Sequence, residues 1–109
     1  MNYQHKELAQ GRWFKLLFFE QMANIGSEVE RAIKWRAKNK DYSQGAFERV
    51  LELIDLTVDD PKNKSRLREL LRLREVLADY FCFDNIYGST DKKWQNYFWA
   101  FNYAARVNL

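Results

Sequence analysis

The chain has 109 residues, enough for one domain that buries roughly two thirds of its unfolded surface. Hydrophobic residues make up 47% and charged residues 30%, which excludes a disordered chain, and a single cysteine excludes an internal disulfide. The net charge of +3 is too modest to argue for a nucleic-acid partner by itself, so the distribution of charge has to carry that question.

With 4 Gly and 1 Pro, punctuation is sparse and the elements must be long helices rather than short strands. Residues 1–10 read as a frayed lead-in to one helical domain spanning 1–109. A first helix is predicted over about Arg12 to Asn39, continuous through Gly26, with Phe14, Phe18, Met22, Ile25, Val29, Ala32 and Ile33 as its apolar stripe. Ala23, Gly26 and Ser27 would let a neighbour approach closely. Ser43 is the expected N-cap of a second helix that faces Phe47, Val50, Leu51, Ile54 and Val58 inward. Asp60 and Pro61 mark the start of a third, with Leu67, Leu70, Leu71, Leu77, Ala78 and Phe81 as its stripe. Phe83 to Ser89 read as a loop. Ser89 or Thr90 then caps a fourth helix with Trp94, Phe98, Phe101 and Ala105 inward. Short connections favour antiparallel neighbours, so the expected fold is all-α, an up-down-up-down four-helix bundle.

The residues of an active site are missing. The one histidine, His5, stands in the lead-in, and Cys82 has no second cysteine for a redox or zinc pair. Glu48, Glu52, Asp55 and Asp59 form a stripe that reads as a solvated face. No glycine-rich phosphate loop and no nucleophile elbow occur. A non-catalytic protein that needs no metal and no cofactor is expected. No apolar run reaches the roughly 20 residues of a membrane span, and no secretion signal opens the chain, so a cytoplasmic location without membrane contact is expected. The triplet Asn63, Lys64, Ser65 fits a glycosylation sequon only by chance.

Two basic segments remain. Arg31, Lys34, Arg36, Lys38 and Lys40 close the first helix, where cations complement the helix dipole and a solvated end is the simpler reading. Lys62, Lys64, Arg66, Arg68, Arg72 and Arg74 crowd the start of the third, where cations oppose it. Lys64, Arg68 and Arg72 fall at successive spacings of four and repel one another, which makes more sense if an anion binds there. Arg74 falls on the apolar face without an evident partner. Aromatic residues are 17% of the chain, more than so small an interior needs. Trp99 and Tyr103, with Arg106 nearby, lie off the inward stripe of the fourth helix, and Trp13 and Leu17 off that of the first. These four are the expected oligomer or partner interface. Lys64, Arg68, Arg72, Arg106, Arg31, Lys34 and Lys38 are the expected nucleic-acid contacts.

Three runs, Glu20 to Ala32, Glu52 to Thr57 and Arg74 to Phe81, resemble a group of small bacterial and archaeal helical proteins. That group is similar to the four-helix-bundle proteins encoded in large-subunit rRNA intervening sequences. It also resembles the accessory variability determinant of diversity-generating retroelements. The resemblance covers most of the chain on packing motifs. It implies a basic bundle that forms a ring, commonly a pentamer, and that binds nucleic acid and a reverse transcriptase. The modest charge departs from a strongly basic accessory subunit. The expectation is therefore an oligomeric accessory protein binding RNA or DNA as partner of a reverse transcriptase. The alternative is a protein-interaction or antitoxin-like regulatory bundle without direct nucleic-acid contact.

Overall fold

A computed structural model of the protein describes the backbone of residues 6–107 and the side chains of residues 10–107. His5 lies outside the described residues, as does the first half of the expected lead-in. Among the described residues every regular element is helical: α1 (Lys6–Trp13), α2 (Phe18–Trp35), α3 (Lys40–Asp59), a 3₁₀ segment (Pro61–Arg66), α4 (Leu67–Cys82) and α5 (Asp91–Val107). No helix is long and apolar enough to cross a membrane.

The expected first helix, Arg12 to Asn39, is two helices separated by a turn and followed by a second turn. Trp13 is the cause. Its ring is 8% exposed, and its indole N–H donates to Thr57 Oγ1 at 2.9 Å, on α3. Gln21 Nε2 donates to the Trp13 carbonyl at 3.0 Å, so the chain folds back on itself between them. Glu20 then accepts the Leu17 backbone N–H at 2.9 Å, satisfying one of the donors that every helix start leaves over. Trp13 is thus core rather than interface, and Leu17 is exposed because it caps α2, not because it sits off a continuous stripe.

Buried polar groups hold this corner. Gln21 Nε2 also donates to Asp60 Oδ2 at 2.8 Å, Asn63 Nδ2 donates to Gln21 Oε1 at 2.8 Å and to the Thr57 carbonyl at 3.0 Å, and Lys62 pairs with Asp60. Burial works to raise the Asp60 carboxyl, but the bonds from Lys62 and Gln21 outweigh it and hold it below its ordinary value. Asn63, with its amide spent in this way, is no glycan acceptor. Asp60 caps the 3₁₀ segment rather than α4, accepting the Lys62 backbone N–H at 3.1 Å, and Pro61 opens that segment.

Two further caps differ from expectation or decide between alternatives. Asn39, not Ser43, caps α3, its Oδ1 accepting the Asp41 and Tyr42 N–H groups at 3.1 and 3.2 Å. Ser43 is buried and donates to the Ala32 carbonyl at 2.7 Å. At α5, Thr90 Oγ1 accepts the Lys93 N–H at 3.1 Å.

The core is Met22, Ile25, Val29 and Ala32 of α2, Phe47, Val50, Leu53, Ile54 and Leu56 of α3, Leu70, Leu73 and Leu77 of α4, and Trp94 and Phe98 of α5. Leu71, expected inward, is 55% exposed, and Leu73 is buried instead. Leu73 lies one turn from both Leu70 and Leu77, so those three share a face. Helix α2 continues through Gly26 as expected, and it packs on both α3 and α5, while α3 also packs on α4. Gly26 makes the α5 contact possible: a Cβ there would stand 2.8 Å from Phe98 Cβ. The elements are tied to one another by Gln21 with Asp60, Ser43 with the Ala32 carbonyl, Arg74 with Asp55, and Arg36 with Asp91.

Candidate nucleic-acid interface

The end of α2 is built around one ring. Beyond Trp35 the Lys38 and Asn39 N–H groups both donate to the Trp35 carbonyl, at 3.0 and 2.8 Å, which closes the helix and swings the chain into α3. Asn39 then fixes the first turn of α3, and with it Tyr42. The two rings meet edge to face at 5.4 Å and 79°. Lys34 Nζ and Lys38 Nζ lie over the Trp35 ring, 5.8 and 5.9 Å from its centroid. Tyr42 is 63% exposed. Beside the two rings, between α2 and α3, runs a groove of about 500 Å³ bordered by Arg31 and Arg49 and by Glu28 and Asp41, with Gly45 and Ala46 among its lining.

The charges here are not all free. Arg31 pairs with Glu28 at 3.3 Å and Arg49 with Glu52 at 2.8 Å. Arg36 is structural: it donates to both Asp91 oxygens, at 2.8 and 2.9 Å, and stacks on Tyr80 at 5.3 Å. Burial works to raise the Asp91 carboxyl, but the Tyr80 hydroxyl and Arg36 donate to it and hold it below its ordinary value. Lys34, Lys38 and Lys40 are exposed and have no ion pair among the described residues.

The basic row on the third sequence segment is less open than its sequence reads. Lys64 lies in the 3₁₀ segment, where three residues make a turn, so only Arg68 and Arg72 share the helical spacing of four. Arg72 stacks on Tyr87 at 4.6 Å and reaches Glu75 at 3.5 Å. Arg66 covers the Phe18 ring at 4.6 Å and approaches Glu69 at 3.7 Å. Among the described residues, Lys64 and Arg68 are the members of the expected row left exposed without an ion pair.

Trp99 and Tyr103 come together on α5 as a stacked pair, 5.5 Å between centroids and 14° between planes, exposed at 65% and 56%. Arg106 is exposed one turn further on, bordering the groove between α2 and α5. Among the described residues no hydrogen bond, ion pair or ring contact joins this pair to Arg68 or Arg72.

Sequence reasoning passed over Trp35 and Tyr42. One signal was available, a tryptophan between Lys34 and Lys38. Its meeting with Tyr42 depends on the corner and was not. Asp55, read as part of a solvated stripe, is half-buried and pairs with Arg74. Cys82 is exposed at the last position of α4 and is not a core residue. Among the described residues no group of three acidic, histidine or cysteine side chains is placed to hold a metal ion. In comparisons with known proteins the chain matches no family model, no curated protein and no solved structure.

Proposed function

We propose that this chain is a non-catalytic, oligomeric accessory protein that binds RNA or DNA in the cytoplasm, as partner of a reverse transcriptase of the diversity-generating kind. The observation that carries the nucleic-acid part is the Trp35 ring with Lys34 and Lys38 at 5.8 and 5.9 Å and Tyr42 at its edge. A half-buried tryptophan with the exposed Tyr42 at its edge and free cations beside it can take an unpaired base by stacking while lysines meet the phosphates on either side. Lys64 and Arg68, beside the Asp60 corner at the other end of α2, are a second and separate pair of phosphate contacts. The reverse-transcriptase partner is carried by the sequence resemblance. The fold proposed for this role is an antiparallel up-down-up-down bundle of α2 to α5, with α1 and the 3₁₀ segment closing one end. The ties between the elements support it.

The experiment is binding of a fluorescent single-stranded oligonucleotide and of duplex DNA across a salt series. Trp35→Ala should weaken single-strand binding about tenfold, as loss of one stacked base does. Lys34→Gln with Lys38→Gln should reduce the salt slope by about 1.4. Binding that neither change affects would refute the site.

A second reading, a protein-interaction or antitoxin-like regulatory bundle, is favoured by the α4–α5 loop. Asp79 accepts the Ile86 and Tyr87 N–H groups at 3.0 and 3.2 Å, so an ordered loop displays Phe83 and Ile86 to solvent. Absence of binding to either nucleic acid at low salt would select it.

A further inference from the structure

Helix α5 turns a second chemistry outward, away from the Trp35 corner. Because Gly26 admits Phe98, α2 and α5 lie close, and the groove between them is shallow, with small or apolar residues Ala23, Gly26 and Val29 along its α2 side. Asn102 borders both halves of this groove. On its bank the Trp99–Tyr103 stack forms a flat plate of two rings already held against each other. Covering such a plate sacrifices little side-chain freedom, which is what the centre of a protein interface needs.

The two ends of the groove carry opposite charge. At one end Glu30 accepts from Gln95 Nε2 at 3.2 Å. Lys34, one turn beyond it, is turned over the Trp35 ring. At the other end is Arg106, and Glu20, the acid bordering the groove beside it, is taken up by the Leu17 N–H. Neither Glu30 nor Arg106 has an ion pair among the described residues. An unpaired acid at one end of the groove and an unpaired cation at the other are complementary to the same face reversed, which favours a second copy of the chain as the occupant.

We propose that this face binds a second copy of the chain about a twofold axis, the two α5 helices running antiparallel. The inference rests on the oligomeric part of the reading above and specifies its interface. A twofold contact must be self-complementary, each patch meeting itself reversed. Trp99 and Tyr103 are four residues apart, so an axis midway between them lays Trp99 of one copy on Tyr103 of the other. From that midpoint Arg106 lies about 7.5 Å along the helix in one direction and Gln95 about 9 Å in the other. The same axis therefore carries Arg106 of one copy onto Gln95 and Glu30 of the other, twice per dimer.

The test is molar mass by sedimentation equilibrium over a range of protein concentration, with oligonucleotide binding followed in the same samples. The full chain should be a dimer, and Trp99→Ala with Tyr103→Ala should make it a monomer. Glu30→Arg alone and Arg106→Glu alone should each weaken dimerisation at least about tenfold, and the two together should restore it. Failure of the pair to restore it overturns the interface, even if the ring variants fold poorly. A ring of larger mass that the ring substitutions leave intact overturns this interface and keeps the oligomeric reading. A monomer at every concentration overturns both. A dimer that behaves as expected yet binds no oligonucleotide supports the interface and counts against the Trp35 site alone.

Discussion

Arg74 reaches from α4 to Asp55 on α3 with two bonds, Nε to Oδ1 at 2.9 Å and Nη2 to Oδ2 at 3.4 Å. This resolves an arginine that falls on an apolar stripe. Its side chain is 37% and that of Asp55 29% exposed, so both ions keep part of their water and the pair clips the rim of the interface rather than its centre. Solvent also discounts its strength. A double-mutant cycle on Arg74→Gln and Asp55→Asn, read as denaturant midpoints, should give a coupling of at most about 1 kcal/mol. A coupling of several kcal/mol would mean a buried, desolvated pair and would contradict the exposure.

Two glycines inside helices should respond oppositely to alanine. At Gly45 a Cβ meets nothing within 4 Å, so Gly45→Ala should stabilise by up to about 1 kcal/mol through helix propensity. At Gly26 the same gain is opposed by contact with Phe98 Cβ, Cγ and Cδ1 at 2.8 to 2.9 Å. Phe98 Cβ is fixed to its backbone and withdraws only if α5 moves. Overpacking of this kind costs about 1–3 kcal/mol, so Gly26→Ala should destabilise overall. Urea unfolding of the two variants checks the sign at each site, and a stabilised Gly26→Ala would refute the close approach.

Acid should loosen both ends of the molecule. Asp60 and Asp91 are each held below the ordinary carboxylate value in the folded chain, Asp60 by Lys62 and Gln21 and Asp91 by Tyr80 and Arg36, in both cases against burial. The unfolded chain then binds protons more readily than the folded one. The stabilisation is complete above the unfolded value, about 4, and disappears as pH falls through the lowered folded value. Denaturant midpoints measured from pH 7 downward should therefore be flat as far as these two groups are concerned until about pH 5, then fall. Asp60→Asn, though less stable at neutral pH, should show a shallower acid limb. An acid limb identical to that of the unaltered chain would remove Asp60 from this role.

How far the site could be read in advance follows from the range of each interaction. Lys34, Lys38 and Arg31 were legible as a cationic helix end, because charge at a helix terminus is local. The weakness of the row at Lys64, Arg68 and Arg72 was partly legible too, since Glu69 and Glu75 each stand three residues after an arginine. The Trp35–Tyr42 contact was not, because it depends on a turn set by Asn39 and by two N–H groups sharing the Trp35 carbonyl.

By itself the sequence determined the helical class, the start of α5, the loop before it, the passage of α2 through Gly26, and most of the inward residues. These follow from periodicity, propensity and capping, which act over a few residues. Tertiary structure alone decided that the first predicted helix breaks after Trp13, that Trp13 is core, and that Arg74 meets Asp55. Each of these rests on a partner 19 or more residues away. Trp13 bonds Thr57 across 44 residues of chain, and no local pattern around position 13 carries that information.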